Sequence, residues 1–500
     1  MFRFPSSLLL FLLLHLVFFS QAQARRPEPS PEPLREEIEG MMVSFRLDAA
    51  QAKVERLRAV GYPGYAAYYQ GNLMVYRHLA RMDAASFQGF QQQFSSLLDE
   101  IDQMPDGSQL KRVMLGELHC KRALLEFLHH NYLTAAHHGR LGRQHINQNA
   151  RRFPEETSQL KMLGLFNVML GAVPSRYQWL TNILGFGGDL NQGIEQLRKA
   201  AAQGQLLTQE AEILLYHVEK SILNRSEDAL ARLRKAREQR GPNLVMDYML
   251  ATGLMSTKQN EAALQLLYRR DLYSNSDVFF TPFWDYQLGK AYYFQGDLAR
   301  ARRYLARFIR DYQGTMFRTD AHFRMGMALT LSGHYELGQP FFQAVAEGQS
   351  DQFDEDAYAR HMAGRFAAQP PTETVQQLFR VRNFFDGGYF DRAIALLQGM
   401  DQAALSTDDR AEWHYRYARI LHSQGKLAEA HAQYQRCLDQ PVDRDHRYMH
   451  AYGAFFQGGI ALRRGNPSRA RQLYQQVLRY DEYFYQDGLE NRCKAALAGL

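Results

Sequence analysis

The chain has 500 residues and a formal net charge of +6, with 59 Lys+Arg set against 53 Asp+Glu. So mild a charge makes no electrostatic case for nucleic acid, and three cysteines allow at most one disulfide, so the fold must rest on its core. Five hundred residues exceed what one hydrophobic core organises, which leaves several domains or an extended repeat array.

Residues 1–24, "MFRFPSSLLLFLLLHLVFFSQAQA", carry Arg3, an apolar run from Leu8 to Phe19, and Ala22 and Ala24 at cleavage spacing. They read as a cleavable signal peptide, which predicts export to the periplasm or the extracellular space. Removing Arg3 with the signal lowers the charge to +5. Residues 25–37 read as a proline-rich linker. No later apolar run has the length of a bilayer span, so no integral membrane segment is predicted.

Residues 38–172 are predicted to be helical, and whether they contain repeats is left open. "KRVMLGELHCKRALLEFLHH" and "YLTAAHHGRLGRQHI" show helical periodicity on either side of Asn131. His119, Cys120, His129, His130, His137, His138 and His145 crowd this stretch. A turn near Asn131 would bring His130 towards His137 or His138, a geometry suited to zinc or copper and the basis of a metal-binding alternative. Because no dedicated ligand spacing occurs, amphipathic helices with exposed histidines are the simpler reading, and no metal or cofactor is expected.

From 173 to 500 a repeat register takes over. "LGFGGDLNQGIEQL" looks at first like a phosphate loop, but it lacks the lysine and hydroxyl residue that would contact phosphate and metal. It reads instead as a turn between helices. Turn glycines recur at Gly188, Gly296, Gly333, Gly388, Gly425 and Gly465, with Asn224 and Lys258 in the same role. Five residues on stands a small residue (Gly193, Ala301, Gly338, Ala393, Ala430, Ala470), and nine on a large one (Leu197, Leu305, Phe342, Leu397, Tyr434, Tyr474). Seven residues before the turn the side chain is again mostly small, as at Gly289, Gly326, Ala418 and Gly458. This spacing predicts a helix, a tight turn and a second helix packed closely back on the first. One such hairpin cannot bury its apolar face alone, so the units must stack. They step by 34 to 40 residues except for a 55-residue step after Gly333, which leaves room for an extra helix at "DEDAYARHMAGRFAA".

The register, with "WDYQLGKAYYFQGDLARARRYL" and "WHYRYARILHSQGKLAEAHAQY", resembles the tetratricopeptide repeat (TPR) family over about Leu184 to Tyr480. The resemblance implies an all-α solenoid of helical hairpins wound as a right-handed superhelix. "PSRYQWLTNILGFGGDLNQGIEQLRKAAAQGQLLTQEAEILLYHV" and "YDEYFYQDGLENRCKAALAGL" are similar to TPR proteins related to yeast inclusion-body clearance factor. Those relatives are intracellular, so their role is not carried across to a chain with an export signal.

The TPR resemblance further implies that first helices line a concave groove. Carried onto this sequence, the groove would contain Tyr286, Lys290, Tyr293, Arg382, Tyr415, Arg419 and His422, an aromatic surface with fixed cations fit for an acidic peptide. Packing of the same aromatics between repeats is the alternative. Neither H-E-x-x-H nor G-x-S-x-G occurs, and no catalytic residues are assigned. The expected function is an exported, non-catalytic scaffold for protein partners. A carbohydrate or small-ligand receptor, using tyrosines as stacking platforms, is the alternative. The arginines of "ARARRYLARFIR" read as a solvated helix face, and no nucleic-acid partner is expected.

Overall fold

A computed structural model describes residues 30–171, 188–223, 225–241, 243–269, 281–348 and 354–500. The predicted signal peptide lies outside them. Among the described residues there are 24 α-helices, one short π-helical turn and no strand. None of these helices is long and apolar enough to cross a membrane.

Seven helices come first: α1 (Glu32–Val43), α2 (Leu47–Ala59), α3 (Pro63–Arg81), α4 (Ala84–Asp102), α5 (Lys111–Leu128), α6 (Tyr132–Arg152) and α7 (Gln159–Gly171). The stretch expected as a linker at 25–37 is therefore helical from Glu32. Pro31 caps that helix and Pro33 sits in its first turn, where a proline forfeits no hydrogen bond. Next come α8 (Leu190–Gln203), α9 (Thr208–His217), which runs into a π-turn at Val218–Ile222, and α10 (Ser226–Arg240). The remaining hairpins are α11 (Leu244–Ser256) with α12 (Asn260–Leu267), α13 (Thr281–Gln295) with α14 (Leu298–Asp311), and α15 (Arg318–Leu331) with α16 (Tyr335–Glu347). A single helix, α17 (Asp354–Ala368), fills the long step. It is followed by α18 (Glu373–Gly387) with α19 (Phe390–Gln398), α20 (Thr407–Ser423) with α21 (Leu427–Leu438), α22 (Arg447–Arg463) with α23 (Pro467–Val477), and a last helix, α24 (Gln486–Ala498).

The turn residues of the last five hairpins are glycines in the left-handed region; Gly333, at φ +81°, is representative. Lys258 (φ +64°) and His130 (φ +62°) hold the same position without being glycine. Around His130 the register continues, with Ala123 seven residues before it and Ala135 five after, so α5 and α6 form a hairpin of the same kind. The closest crossings need residues with almost no side chain. A Cβ on Gly289 would lie 2.8 Å from Leu305, one on Gly326 2.7 Å from Phe342, and one on Gly458 2.6 Å from Tyr474. These are the pairs of small and large positions that the sequence places seven before and nine after each turn.

The segment before Gly188 lies outside the described residues. Gly193 and Leu197 do face a small residue, but it is Gly164 of α7, whose added Cβ would lie 2.8 Å from the Gly193 carbonyl oxygen. The partner of α8 is thus α7, joined to it through 172–187, and Thr181 lies outside the described residues. Asp189 accepts from the Gln192 amide and caps α8, as Asp297 after Gly296 and Asn466 after Gly465 cap their second helices.

Stacking between units repeats one bond. Trp284 Nε1 donates to the Leu267 carbonyl at 2.8 Å, and Trp413 Nε1 donates to Leu397 at 2.9 Å, each joining a first helix to the end of the preceding second helix. Among the described residues, successive first helices touch one another more extensively than successive second helices, which makes the first helices an inner layer. Burial agrees: α13 buries Phe283, Trp284, Tyr286, Leu288, Tyr292 and Tyr293 all round its circumference, whereas α14 buries only Ala301, Leu305 and Phe308 along one stripe.

Helix α17 packs on α15 and α16 as a third member of its unit, through Tyr335 Oη to the Phe366 carbonyl (2.8 Å) and Gln339 to Ala367 (2.8 Å). With this helix inserted, α18 lies against α13 and the array folds back on itself. Lys258 Nζ meets Asp386 at 2.9 Å, Asn260 donates to Tyr389 Oη at 2.9 Å, and Arg392 donates to the Gln295 carbonyl at 2.7 Å. Gly388 is required twice, once for its φ of +83° and once because a Cβ there would lie 2.0 Å from the Lys258 carbonyl oxygen.

Candidate partner-binding face

The inner layer carries a row of cations stacked on rings. On α13 the Lys290 ammonium lies 5.8 Å from the Phe294 ring. On α15, Arg324 sits 5.3 Å from Tyr293 and 5.4 Å from Phe294 and pairs with Asp320, which also accepts from Tyr286 Oη at 2.7 Å. On α18, Arg382 lies 5.1 Å from the Tyr358 ring. On α20, Arg419 is held between Phe385 (4.9 Å) and Phe456 (4.6 Å) and donates to Tyr415 Oη at 2.9 Å. Arg416 pairs with Glu412 at 2.8 Å and reaches Tyr448 Oη at 3.2 Å. Aromatic faces attract these guanidinium groups and fix their rotamers.

Positive charge exceeds negative along this row. Asp320, Asp386 and Glu412 are interleaved with Lys258, Lys290, Arg324, Arg382, Arg416 and Arg419. Burial would raise the Asp386 carboxyl, but Lys258 and Arg382 outweigh it and hold it low. Burial lowers the Lys258 ammonium, Asp386 opposes that, and the nearby Arg419 and Arg382 add to the lowering. Between α13, α15, α17 and α18 is a cavity of about 50 Å³ lined by Tyr293, Asp320, Phe323, Arg324, Tyr358, Arg382, Asn383 and Tyr485.

Of the seven groove residues expected from sequence, Tyr286, Tyr293 and Tyr415 are buried, while Lys290, Arg382, Arg419 and His422 are half-buried. Tyr286 stacks on Phe317 at 4.8 Å and packs between repeats. His422 meets Tyr434 Oη at 3.3 Å, and burial lowers its pKa to about 4. The fold-back brings Arg382 and Arg419 into one charge neighbourhood with Lys258, which sequence reasoning treated only as a turn residue. Arg324 and Arg416 were also missed: they stand nine residues before their turn glycines, one helical turn from the positions that were counted.

The histidine-rich region forms pairs. His130 does not face His137 or His138; its Nδ1 lies 2.9 Å from Tyr132 Oη. His138 instead meets His119, Nδ1 to Nδ1, at 3.0 Å, and His78 meets His129 at 3.1 Å. Burial and then the neighbouring imidazoles lower His119; burial and then His129 lower His78 to about 4. Among the described residues, the one trio whose ligand atoms converge closely enough for a metal is Asp408, Asp443 and His446 on the surface. The arginines of α14 lie on the outer layer, where Arg310 pairs with Asp311 at 2.6 Å.

Helical hairpins stacked in one register, with an inner layer of first helices, define a TPR-like solenoid, a fold whose general use is non-catalytic protein interaction. Within that class, residues 90–348 match the family described as Iml2/Tetratricopeptide repeat protein 39, and the chain belongs to that family. No curated protein matches the chain. Among solved structures, a monomeric mutant of IFIT1 with m7Gppp-AAAA is similar at 12% identity, covering 89% of this chain and 99% of that one, with a TM-score of 0.28. The APC/C hetero-tetramer Cut9-Hcn1 is similar at 12% identity, covering 89% and 86%, with a TM-score of 0.24.

Proposed function

We propose that this protein is an exported scaffold that holds an acidic protein segment against the inner face of its solenoid. The observation that supports this most is the surplus of half-buried cations stacked on aromatic rings along the first helices, centred on Arg382 and Arg419. Such cations are already ordered by the rings, so a carboxylate that reaches them costs little further side-chain entropy. The carbohydrate alternative gains no support from this row, because Tyr286, Tyr293 and Tyr415 have no free ring face to offer. Export rests on residues 1–24, and cleavage after Ala24 would leave Arg25 as the mature N-terminus.

The test is partner capture from the exporting cell by the mature chain and by a Lys290→Glu plus Arg419→Glu variant, with helicity checked by circular dichroism. Reduced capture at unchanged helicity is expected. Unchanged capture refutes the inner-face reading.

A further inference from the structure

One segment of this chain already lies on the inner face. After α23, Phe484 and Tyr485 reach Tyr358 of α17 at ring distances of 5.3 and 5.7 Å, and Tyr485 also meets Tyr448 at 6.1 Å. Tyr485 lines the cavity that also holds Arg382. Helix α24 packs on α23 and, more lightly, on α22, and it also touches the π-turn at Val218–Ile222, far back in the array. On the solvent side, Glu482 pairs with Arg444 at 3.5 Å and Asp481 with Arg447 at 3.8 Å, beside the start of α22 and apart from the cation row, and Asp487 stands in the first turn of α24. The aromatic pair of an acidic segment thus sits against the inner face beside Arg382.

Its fit is imperfect in three independent ways. Glu482 (φ +52°) and Tyr485 (φ +65°) both adopt the left-handed region without being glycine, which strains the entry to the helix. Tyr483 Oη is buried with no hydrogen-bond partner. Among the described side chains of α24 only Leu489 and Cys493 are fully buried, and most of the others are half-covered. A strained, partly buried terminal element belongs to the low-stability end of a fold.

We propose that segment 481–500 is a built-in, displaceable occupant of the inner face. It also specifies the partner: an aromatic pair followed by a helix with an acidic first turn. This rests on the inner face being the binding surface, as proposed above. In the resting chain the tethered segment competes with any partner at high effective concentration, so weakening its hold raises partner affinity.

The test uses a fluorescent peptide of residues 481–500, titrated by anisotropy into the full chain and into a Phe484→Ala plus Tyr485→Ala variant of it. The variant should bind the peptide about tenfold more tightly than the parent, and adding Arg382→Glu should remove that gain. Equal affinity in parent and variant, or no binding by a variant that keeps its helicity, overturns the proposal. Hydrogen exchange of the parent gives a second reading: amides of α24 should exchange faster than those of α20, and equal protection overturns it too. Absence of the gain while Lys290→Glu plus Arg419→Glu still weakens partner capture would sink the occupant alone. The gain present with capture untouched would sink the partner reading itself.

Discussion

Replacing Gly338 by alanine probes the close crossing on which each hairpin depends. An added Cβ would lie 2.7 Å from the Gly326 carbonyl oxygen and 3.1 Å from Thr330 Oγ1. The first contact is with backbone, so relief requires α15 and α16 to move apart. Overpacking of this kind costs about 1–3 kcal/mol, and a backbone clash belongs at the upper end. Alanine recovers about 1 kcal/mol through its better helix propensity. The net expectation is a loss of about 1–2 kcal/mol. Gly364, inside α17, meets nothing within 4 Å, so Gly364→Ala keeps the propensity gain alone and should stabilise by about 0.5–1 kcal/mol. Urea denaturation with native-state hydrogen exchange across α15 and α16 reads both variants. A Gly338→Ala variant that is stabilised as Gly364→Ala is would refute the close-crossing argument.

Three further outcomes concern buried and strained groups elsewhere in the fold. Lys161, about 1% exposed, pairs with Glu117 and Glu210 at 2.9 Å each, and Lys161→Met should cost about 3–5 kcal/mol in chemical denaturation because it leaves a buried carboxylate without its partner. His130→Gly relieves a left-handed non-glycine residue and should raise stability by about 0.5–1 kcal/mol; a loss would show that the turn is not strained. Burial, aided by His129, lowers His78 to about 4 in the folded chain against about 6.5 unfolded, so the unfolded state binds more protons between those values. Stability should therefore fall as pH drops from 6.5 towards 4, by about 2 kcal/mol through His78 between pH 7 and 5, and His78→Phe should flatten that slope.

The hairpin register was legible because it is local: a left-handed glycine, a small residue and a large one at fixed offsets are all that Gly296, Gly333, Gly425 and Gly465 require. Where another residue takes the left-handed position the signal weakens, and the hairpin around His130 was hidden for that reason. The turn expected at Gly188 follows residues 172–187, which lie outside the described residues, so only its second half, Asp189 capping α8, can be compared. The fold-back of α18 onto α13 left no pattern to find. It rests on pairs such as Lys258 with Asp386 and Asn260 with Tyr389, joined across several units, and periodicity does not report such distant contacts. The site was legible to the same extent. Arg382 and Arg419 were reachable by counting back from the turns, whereas the role of Lys258 emerges only when the array closes on itself.

The inner face can be tested directly by placing a photo-crosslinking amino acid at His422, on the first-helix layer, and separately at Arg303, exposed on the outer helix α14. Illumination in the exporting cell should give a discrete crosslinked protein partner from position 422 and none from position 303. The same partner crosslinked from position 303, with nothing from position 422, would contradict the inner face as the binding surface.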